Sequence, residues 1–199
     1  MSGPQLIRVD AIKPEPWRNG GGSTRTLLAW PSAEHWDLRI SVAEIAMDGP
    51  FSAYPDIERW FAVIEGAGVV LSSEGSNLAL DPDSPPHRFD GASAPQCRLV
   101  DGATRDLNLM LRQDRLSGSL ERAGSGVRWQ STAQLQGLYA DDAGRLSDDA
   151  GRQWPLPART LCWWQAAAGE PRSWRFESAA AHPLRAWWWQ AAPTKEASR

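Results

Sequence analysis

The chain has 199 residues, a net charge of −3 and two cysteines, so it is long enough to bury a substantial core without disulfides. Acidic and basic residues are interspersed, with no long basic run and no apolar run of membrane length, which argues against nucleic-acid and membrane partners. No basic-then-apolar leader opens it, and Cys97 and Cys162, far apart and without metal spacing, read as reduced, buried thiols of a cytoplasmic protein.

Twelve Trp, 17 Gly and 15 Pro stand among short apolar runs. Frequent turn residues between short apolar runs predict an all-β chain. Leu6-Ile7-Arg8-Val9 reads as a strand, and the prolines of Lys13-Pro14-Glu15-Pro16 exclude helix there. Trp17-Arg18-Asn19-Gly20-Gly21-Gly22-Ser23-Thr24-Arg25 follows. Asn19-Gly20 is a strong hairpin-turn signal, and three glycines also leave a bare backbone that a ligand can approach. Both readings stand for this segment. It has neither the Gly-Lys-Ser/Thr of a phosphate loop nor the spacing of a dinucleotide fingerprint.

Thr26 to Trp30 is a predicted strand stopped by Pro31. Trp36 to Ala43 alternates strictly, with Trp36, Leu38, Ile40 and Val42 on one face and Asp37, Arg39 and Ser41 on the other. That polar face is either solvated or the wall of a pocket. Gly49 to Pro55 is a turn-rich connection carrying Phe51 and Tyr54. Trp60 to Ile64, Glu65 to Gly68 and Val69 to Leu71 read as a β-hairpin. Ser72 to Asn77 is a turn, Asp81 to Pro86 a loop, and His87 a loop residue. Gln96 to Val100 and Asp106 to Leu111 are strands, the second with Leu107, Leu109 and Leu111 opposite Asp106 and Asn108. Two strands sorted in this way can line one shared cavity.

Beyond Arg112 the pattern weakens. Leu116 to Gly126 reads as polar linker, Thr132 to Gln136 as the one helical segment, and Asp141 to Gln153 as a charged surface loop. Val127 to Trp129, Leu138-Tyr139, Thr160 to Trp164, Ser173 to Phe176 and Leu184 to Trp189 read as strands, and the tail from Pro193 as frayed. Alternate rings of Trp163-Trp164 and Trp187-Trp188-Trp189 must point to opposite faces, so core packing outweighs a carbohydrate platform. Exposed rings among them would mark a subunit interface, that of a homodimer.

The three histidines, His35, His87 and His182, have no partner at ligand spacing, so neither metal nor cofactor is expected. No Gly-x-Ser-x-Gly elbow or cysteine-nucleophile motif occurs. What remains is a set of anion-capable groups, Asn19, Thr24, Arg25, Arg39, Ser41, Arg59 and Asn108. Arginine forks among them suit a carboxylate.

Four segments in order, Trp17-x-Asn19-Gly20-Gly21-Gly22-x-Thr24-Arg25, Trp36-x-Leu38-Arg39-Ile40-Ser41-x-Ala43, Gly49-Pro50-Phe51-Ser52-x-Tyr54-Pro55 and Asp106-Leu107-Asn108-x-Met110, resemble the HutD/Ves family. The likeness covers residues 6 to 112; beyond them only the general layout matches. It implies an all-β bicupin, a double-stranded β-helix with an RmlC-like jelly roll in each half. Residues 1–115 would form the barrel with the pocket, 116–192 a second β half, and 193–199 a tail. It also implies a bacterial cytoplasmic protein tied to histidine utilisation or stress response, with a small carboxylate such as N-formylglutamate as ligand. Metal-dependent cupins carry a His-x-His and Glu set that this chain lacks. Thr26 and Asp56 depart from the family pattern and bear on which ligand is bound.

The ligand-binding residues implied are Trp17, Asn19, Gly20, Gly21, Gly22, Thr24, Arg25, Arg39, Ser41, Phe51, Ser52, Arg59, Asp106 and Asn108. Three functions follow from these readings. The leading one is a metal-free ligand-binding sensor or modulator of histidine catabolism. The second is a metal-free cupin isomerase or hydrolase with Asp106 or a histidine as base. The third is an interaction protein with the glycine loop packed shut and the tryptophans exposed.

Overall fold

The computed structural model describes residues 3–73, 75–167, 169–180 and 183–194, so His182 and residues 195–199 of the expected tail lie outside the described residues. Among them the chain forms nineteen strands, and its only helices are two single 3-10 turns, Val9–Ala11 and Gly91–Ser93. The strands divide between two compact units, Ile12–Leu116 and Ser117–Pro193, the latter joined by the N-terminal segment up to Ala11. The sequence reading places residues 1–115 in the first domain. The Gln5–Arg8 strand instead pairs antiparallel with Thr160–Gln165, and Val9 N–H donates to Arg159 O at 2.9 Å. Backbone groups of a short segment need partners, and that sheet edge supplies them.

The Ile12–Leu116 unit holds a six-stranded sheet ordered Glu15–Pro16, Gly22–Pro31, Trp36–Ile45, Thr104–Arg112, Ile57–Glu65 and His87–Asp90. Its four-stranded sheet is ordered Gly49–Pro50, Gln96–Leu99, Val69–Ser73 and Ser76–Leu80. Alternation decides what each face buries. Leu38, Ile40 and Val42 on one face of their strand are at most 1% exposed. On the opposite face Ile45, Phe61 and Val63 meet Val69, Leu71, Leu80 and Cys97 of the four-stranded sheet in an apolar core. Farther along, that same face carries Arg39, Ser41, Arg59 and Asn108. One sheet surface is therefore core at one end and polar at the other.

Two expectations fail in this unit. Ile57–Glu65 and Val69–Ser73 do not form a hairpin; the first pairs with Thr104–Arg112 and His87–Asp90, the second with Gln96–Leu99 and Ser76–Leu80. Gly66 and Gly68, at φ +98° and +101°, carry the chain from one sheet to the other. Side chains there would strike backbone, at 2.7 Å from Ala103 O and 2.2 Å from Leu80 O. His87 is not a loop residue but opens an edge strand, opposite Phe61 and stacked 5.7 Å from Phe89.

The other unit pairs a five-stranded sheet with a four-stranded one. The first is ordered Gln5–Arg8, Thr160–Gln165, Leu135–Ala140, Ala186–Pro193 and Leu116–Arg122. The second is ordered Arg128–Ser131, Arg172–Glu177, Gly144–Asp148 and Gln153–Leu156. Their shared core includes Trp129, Leu138, Leu146, Cys162, Phe176 and Trp188. Trp188 stacks on Trp129 with centroids 4.7 Å apart and planes 2° from parallel. Trp187 and Trp189 point to the other face, as alternation requires, and all three are at most 2% exposed. Among the described residues every tryptophan is buried or half-buried.

Three segments of this half differ from expectation. The supposed linker holds the strand Leu116–Arg122, anchored by buried Leu116 and Leu120; Ser117, Gly118 and Ser119 between them mask the pattern. The supposed helix at Thr132 to Gln136 runs into the strand Leu135–Ala140, buried along its whole length, where burial on both faces removes any period. The supposed surface loop contains Gly144–Asp148, which forms a hairpin with Gln153–Leu156 around fully buried Leu146. Pro193 ends a strand, and Thr194 N–H donates to Arg115 O at 3.0 Å, so neither is frayed.

Candidate functional site

Strand register assembles the polar groups of the Ile12–Leu116 unit. Arg39, Ser41 and Ala43 alternate along one strand, and Met110, Asn108 and Asp106 sit opposite them in turn on the neighbouring strand. Thr24 and Thr26 sit opposite Ala43 and Ser41, while Arg59 sits opposite Met110. The lateral rows Thr26–Ser41–Asn108 and Arg39–Met110–Arg59 thus lie side by side on one face. They floor a cavity of about 590 Å³, whose remaining walls come from the Glu15–Asn19 stretch and from Pro50, Phe51, Ser52 and Tyr54. Small-molecule sites span roughly 300–1,000 Å³. The polar groups of the floor lie deep in it: Ser41, Arg59, Asp106 and Asn108 are all buried.

Two guanidinium groups dominate the electrostatics. Arg59 Nη2 donates to Asn108 Oδ1 at 3.0 Å, and Asn108 Nδ2 donates in turn to Asp106 Oδ2. The Arg59 guanidinium lies over Phe51 and Phe89, with centroids 5.1 and 5.0 Å away. Arg39 lies 4.9 Å from the Trp36 ring and 5.3 Å from that of Tyr54; its Nη2 donates to Met110 Sδ at 3.0 Å and reaches the Tyr54 hydroxyl at 3.5 Å. The Nε of each arginine is buried without a partner among the described residues. Neither arginine joins a salt bridge among them, in contrast to Arg112 with Asp37 or Arg88 with Glu58.

Burial pushes the Asp106 carboxyl up to about 7, against the opposing pull of the Arg59 charge and the Asn108 hydrogen bond. Burial also lowers the Arg59 pKa, but a guanidinium starts high enough to keep its charge. With its one buried carboxyl half-neutralised near pH 7, the cavity floor is electropositive and offers planar donors to an anion.

Ten of the fourteen residues singled out from the sequence line this cavity: Trp17, Asn19, Thr24, Arg39, Ser41, Phe51, Ser52, Arg59, Asp106 and Asn108. Gly20, Gly21, Gly22 and Arg25 do not. Gly20, at φ +72°, makes the turn, with its N–H donating to Trp17 O at 3.0 Å. Gly21 O accepts from the N–H groups of Ala46 and Met47. A Cβ on Gly22 would sit 2.1 Å from Glu44 O. The glycines therefore press the hairpin against the neighbouring strand and so hold Trp17, which donates to Thr24 Oγ1 at 2.8 Å, at the cavity wall.

Arg25 alternates to the other face, between Thr24 and Thr26, and its Nε donates to Ile12 O at 3.2 Å. Thr26 and Met110 line the cavity as well, and alternation with Thr24 and with Asn108 signals both. Glu15, Pro16, Arg18, Ala43, Pro50 and Tyr54 also line the cavity; of these only Tyr54, an aromatic in the turn-rich connection, carried a signal.

Among the described residues no group of three or more His, Cys, Asp or Glu side chains is arranged to hold a metal ion. Both cysteines are free and buried, and burial raises both thiols, Cys97 to about 12, which keeps them protonated. No helix among the described residues is long and apolar enough to cross a membrane.

Comparison with known proteins follows the same segments. The HutD family model matches residues 9–182. An uncharacterised 21.2 kDa protein in the hutC 3′ region of Pseudomonas putida is 31% identical over 157 residues, covering 77% of this chain and 82% of the relative. Protein Ves of Citrobacter koseri is 36% identical over 154 residues, covering 73% and 80%. The solved structure of HutD from Pseudomonas fluorescens, in a formate condition, superposes with a TM-score of 0.80 at 27% identity, covering 96% and 99%. An oxalate decarboxylase of Bacillus subtilis reaches a TM-score of 0.60 at 10% identity, covering 98% and 78%, a likeness of fold alone, all-β and cupin-like.

Proposed function

We propose, because this chain belongs to the HutD family, that its cavity binds a small carboxylate such as N-formylglutamate and that the protein serves as a ligand-binding modulator or sensor of histidine catabolism. The observation that carries this reading is the pair Arg39 and Arg59, two guanidinium groups without salt bridges that line one cavity. Each is held by aromatic faces and neutral acceptors rather than by carboxylates, so its charge is left for a ligand. A relative encoded in a hutC region and a HutD solved in a formate condition support the same direction; formate is the smallest carboxylate an arginine fork can hold. The finer architecture of this reading is a cytoplasmic bicupin, each unit one double-stranded β-helix. Calorimetry with N-formylglutamate, formate, urocanate and glutamate tests it. A saturable response to at least one is expected, and heat-free titrations with all four reject the carboxylate reading.

One observation favours a second reading, an isomerase or hydrolase. Asp106 lines the cavity with its carboxyl raised to about 7, the range in which a general base works at neutral pH. NMR of histidine-pathway intermediates incubated with the protein separates the two: product formation that Asp106→Asn abolishes selects the enzyme, and unchanged spectra select the binder.

A further inference from the structure

The floor of the arginine cavity carries a third row. Thr24, Ala43 and Asp106 pair in turn across three neighbouring strands. They lie one two-residue step, about 6.6 Å, beyond Thr26, Ser41 and Asn108, on the side away from Arg39 and Arg59. All three line the cavity. Its floor therefore runs from cationic through neutral to acidic. Ala43 has no atom beyond Cβ, so the third row is open between the Thr24 hydroxyl and the Asp106 carboxyl. Asp106 Oδ2 accepts from Asn108 Nδ2, while Oδ1 has no donor among the described residues. Glu15 and Arg18, the other charged groups of the lining, are exposed.

Asn108 shows what fits between the two charged ends. Its Oδ1 takes a hydrogen bond from Arg59 Nη2 at 3.0 Å, and its Nδ2 gives one to Asp106. The guanidinium and the carboxyl thus stand one carboxamide apart. The side chain that spans them presents an acceptor to one and an N–H to the other. A ligand lying alongside meets the same order of groups. Its carboxylate faces the arginines, whose Nε groups are both buried without a partner among the described residues. Its other end faces Asp106, which keeps an acceptor oxygen whether ionised or protonated. A second carboxylate there would be desolvated beside a group of like charge, and a C–H group would leave Oδ1 without a donor. An N–H matches it as the Asn108 amide does.

We propose that the ligand of this cavity is a carboxylate bearing an N–H donor (an amine, amide or azole) a few bonds away, and that Asp106 is the residue that selects for that donor. This rests on the carboxylate reading of the cavity and narrows it. Formate, which has no N–H, is expected to bind more weakly than N-formylglutamate, urocanate or glutamate.

Calorimetry on the full chain at pH 7 with two matched pairs tests this. Urocanate is set against 3-(2-furyl)acrylate, of nearly the same shape but without a ring N–H, and glutamate against glutarate, which lacks only the ammonium group. In the wild type the N–H member of at least one pair is expected to bind about tenfold tighter or more, the worth of one hydrogen bond to a charged group. Asp106→Ala is expected to bring that ratio to about one by weakening the N–H member alone. Should that variant fail to fold, Asp106→Asn, which keeps the shape and removes the charge, is expected to shrink the preference for glutamate. Equal or reversed affinities within both pairs in the wild type overturn the proposal without reliance on any variant, and leave the carboxylate reading in place. So does a preference for the N–H member that a folded Asp106→Ala, checked by its thermal melt, retains in full. Silence from all four acids rejects the carboxylate reading and the N–H selection with it.

Discussion

The Asp106 carboxyl offers the sharpest test of the cavity's electrostatics. It is 1% exposed, and burial lifts its pKa from the ordinary 3.8 to about 7. Because the folded value lies above the unfolded one, the folded state holds the extra proton between them. Its stabilising contribution is complete below about 3.8 and is lost as pH rises through about 7. At about 1.4 kcal/mol per pKa unit, ionising Asp106 in the folded protein costs up to about 4 kcal/mol at pH 8. Asp106→Asn removes that charge and keeps an acceptor for the Asn108 amide, whose pull on the carboxylate is already contained in the value of about 7. The variant is therefore expected to be more stable than wild type by up to about 4 kcal/mol at pH 8, with Tm rising by roughly 2–4 °C per kcal/mol for a chain of this size. The advantage should fall to about a third of that at pH 5 and vanish only below about 3.8, where the unfolded carboxyl is protonated too. Urea denaturation and thermal melting at both pH values measure it. A variant less stable than wild type at pH 8, with the deficit shrinking toward pH 5, would mean that Asp106 is ionised and held by Arg59, and the reasoning would fail.

Arg39→Ala is expected to abolish most of the carboxylate response in calorimetry while lowering Tm only slightly, since Arg39 joins no salt bridge among the described residues; a large drop in Tm with ligand response intact would make Arg39 structural. The two ends of the glycine turn should fail for different reasons. Gly22→Ala places a Cβ 2.1 Å from Glu44 O, and such overpacking costs about 1–3 kcal/mol. Gly20→Ala meets nothing within 4 Å but must hold φ +72°, which costs about 1–2 kcal/mol. Chemical denaturation gives both values, and calorimetry at a temperature where the variants are folded should find carboxylate binding retained in Gly20→Ala and weakened in Gly22→Ala, whose Cβ would also press on the Trp17 ring of the cavity wall, 3.0 Å away. Lost binding in Gly20→Ala with normal stability would put the glycine backbone in contact with ligand.

Residue patterns with a strict period were legible without a structure. Leu38, Ile40 and Val42 against Arg39 and Ser41, and Leu107 and Leu109 against Asp106 and Asn108, disclosed two strands, their faces and most of one cavity floor. Where the period failed, so did the reading. Leu135–Ala140 is buried on both sides and resembles nothing in particular. Leu116–Arg122 and Gly144–Asp148 each hang on one or two apolar side chains among polar ones.

The all-β class, the sorting of polar from apolar faces and the turn at Asn19-Gly20 follow from the sequence alone, because side-chain alternation and backbone freedom are local properties. Register, sheet membership and burial do not. That Arg39 and Arg59 lie in one row with Met110 between them, that Arg25 faces the other way, and that Ile57–Glu65 and Val69–Ser73 part into different sheets are results of long-range pairing. The raised Asp106 carboxyl is tertiary as well, since a charge is disfavoured by the surface around it and not by its neighbours in the chain. Local chemistry chose the groups; only the fold decided which of them face one another.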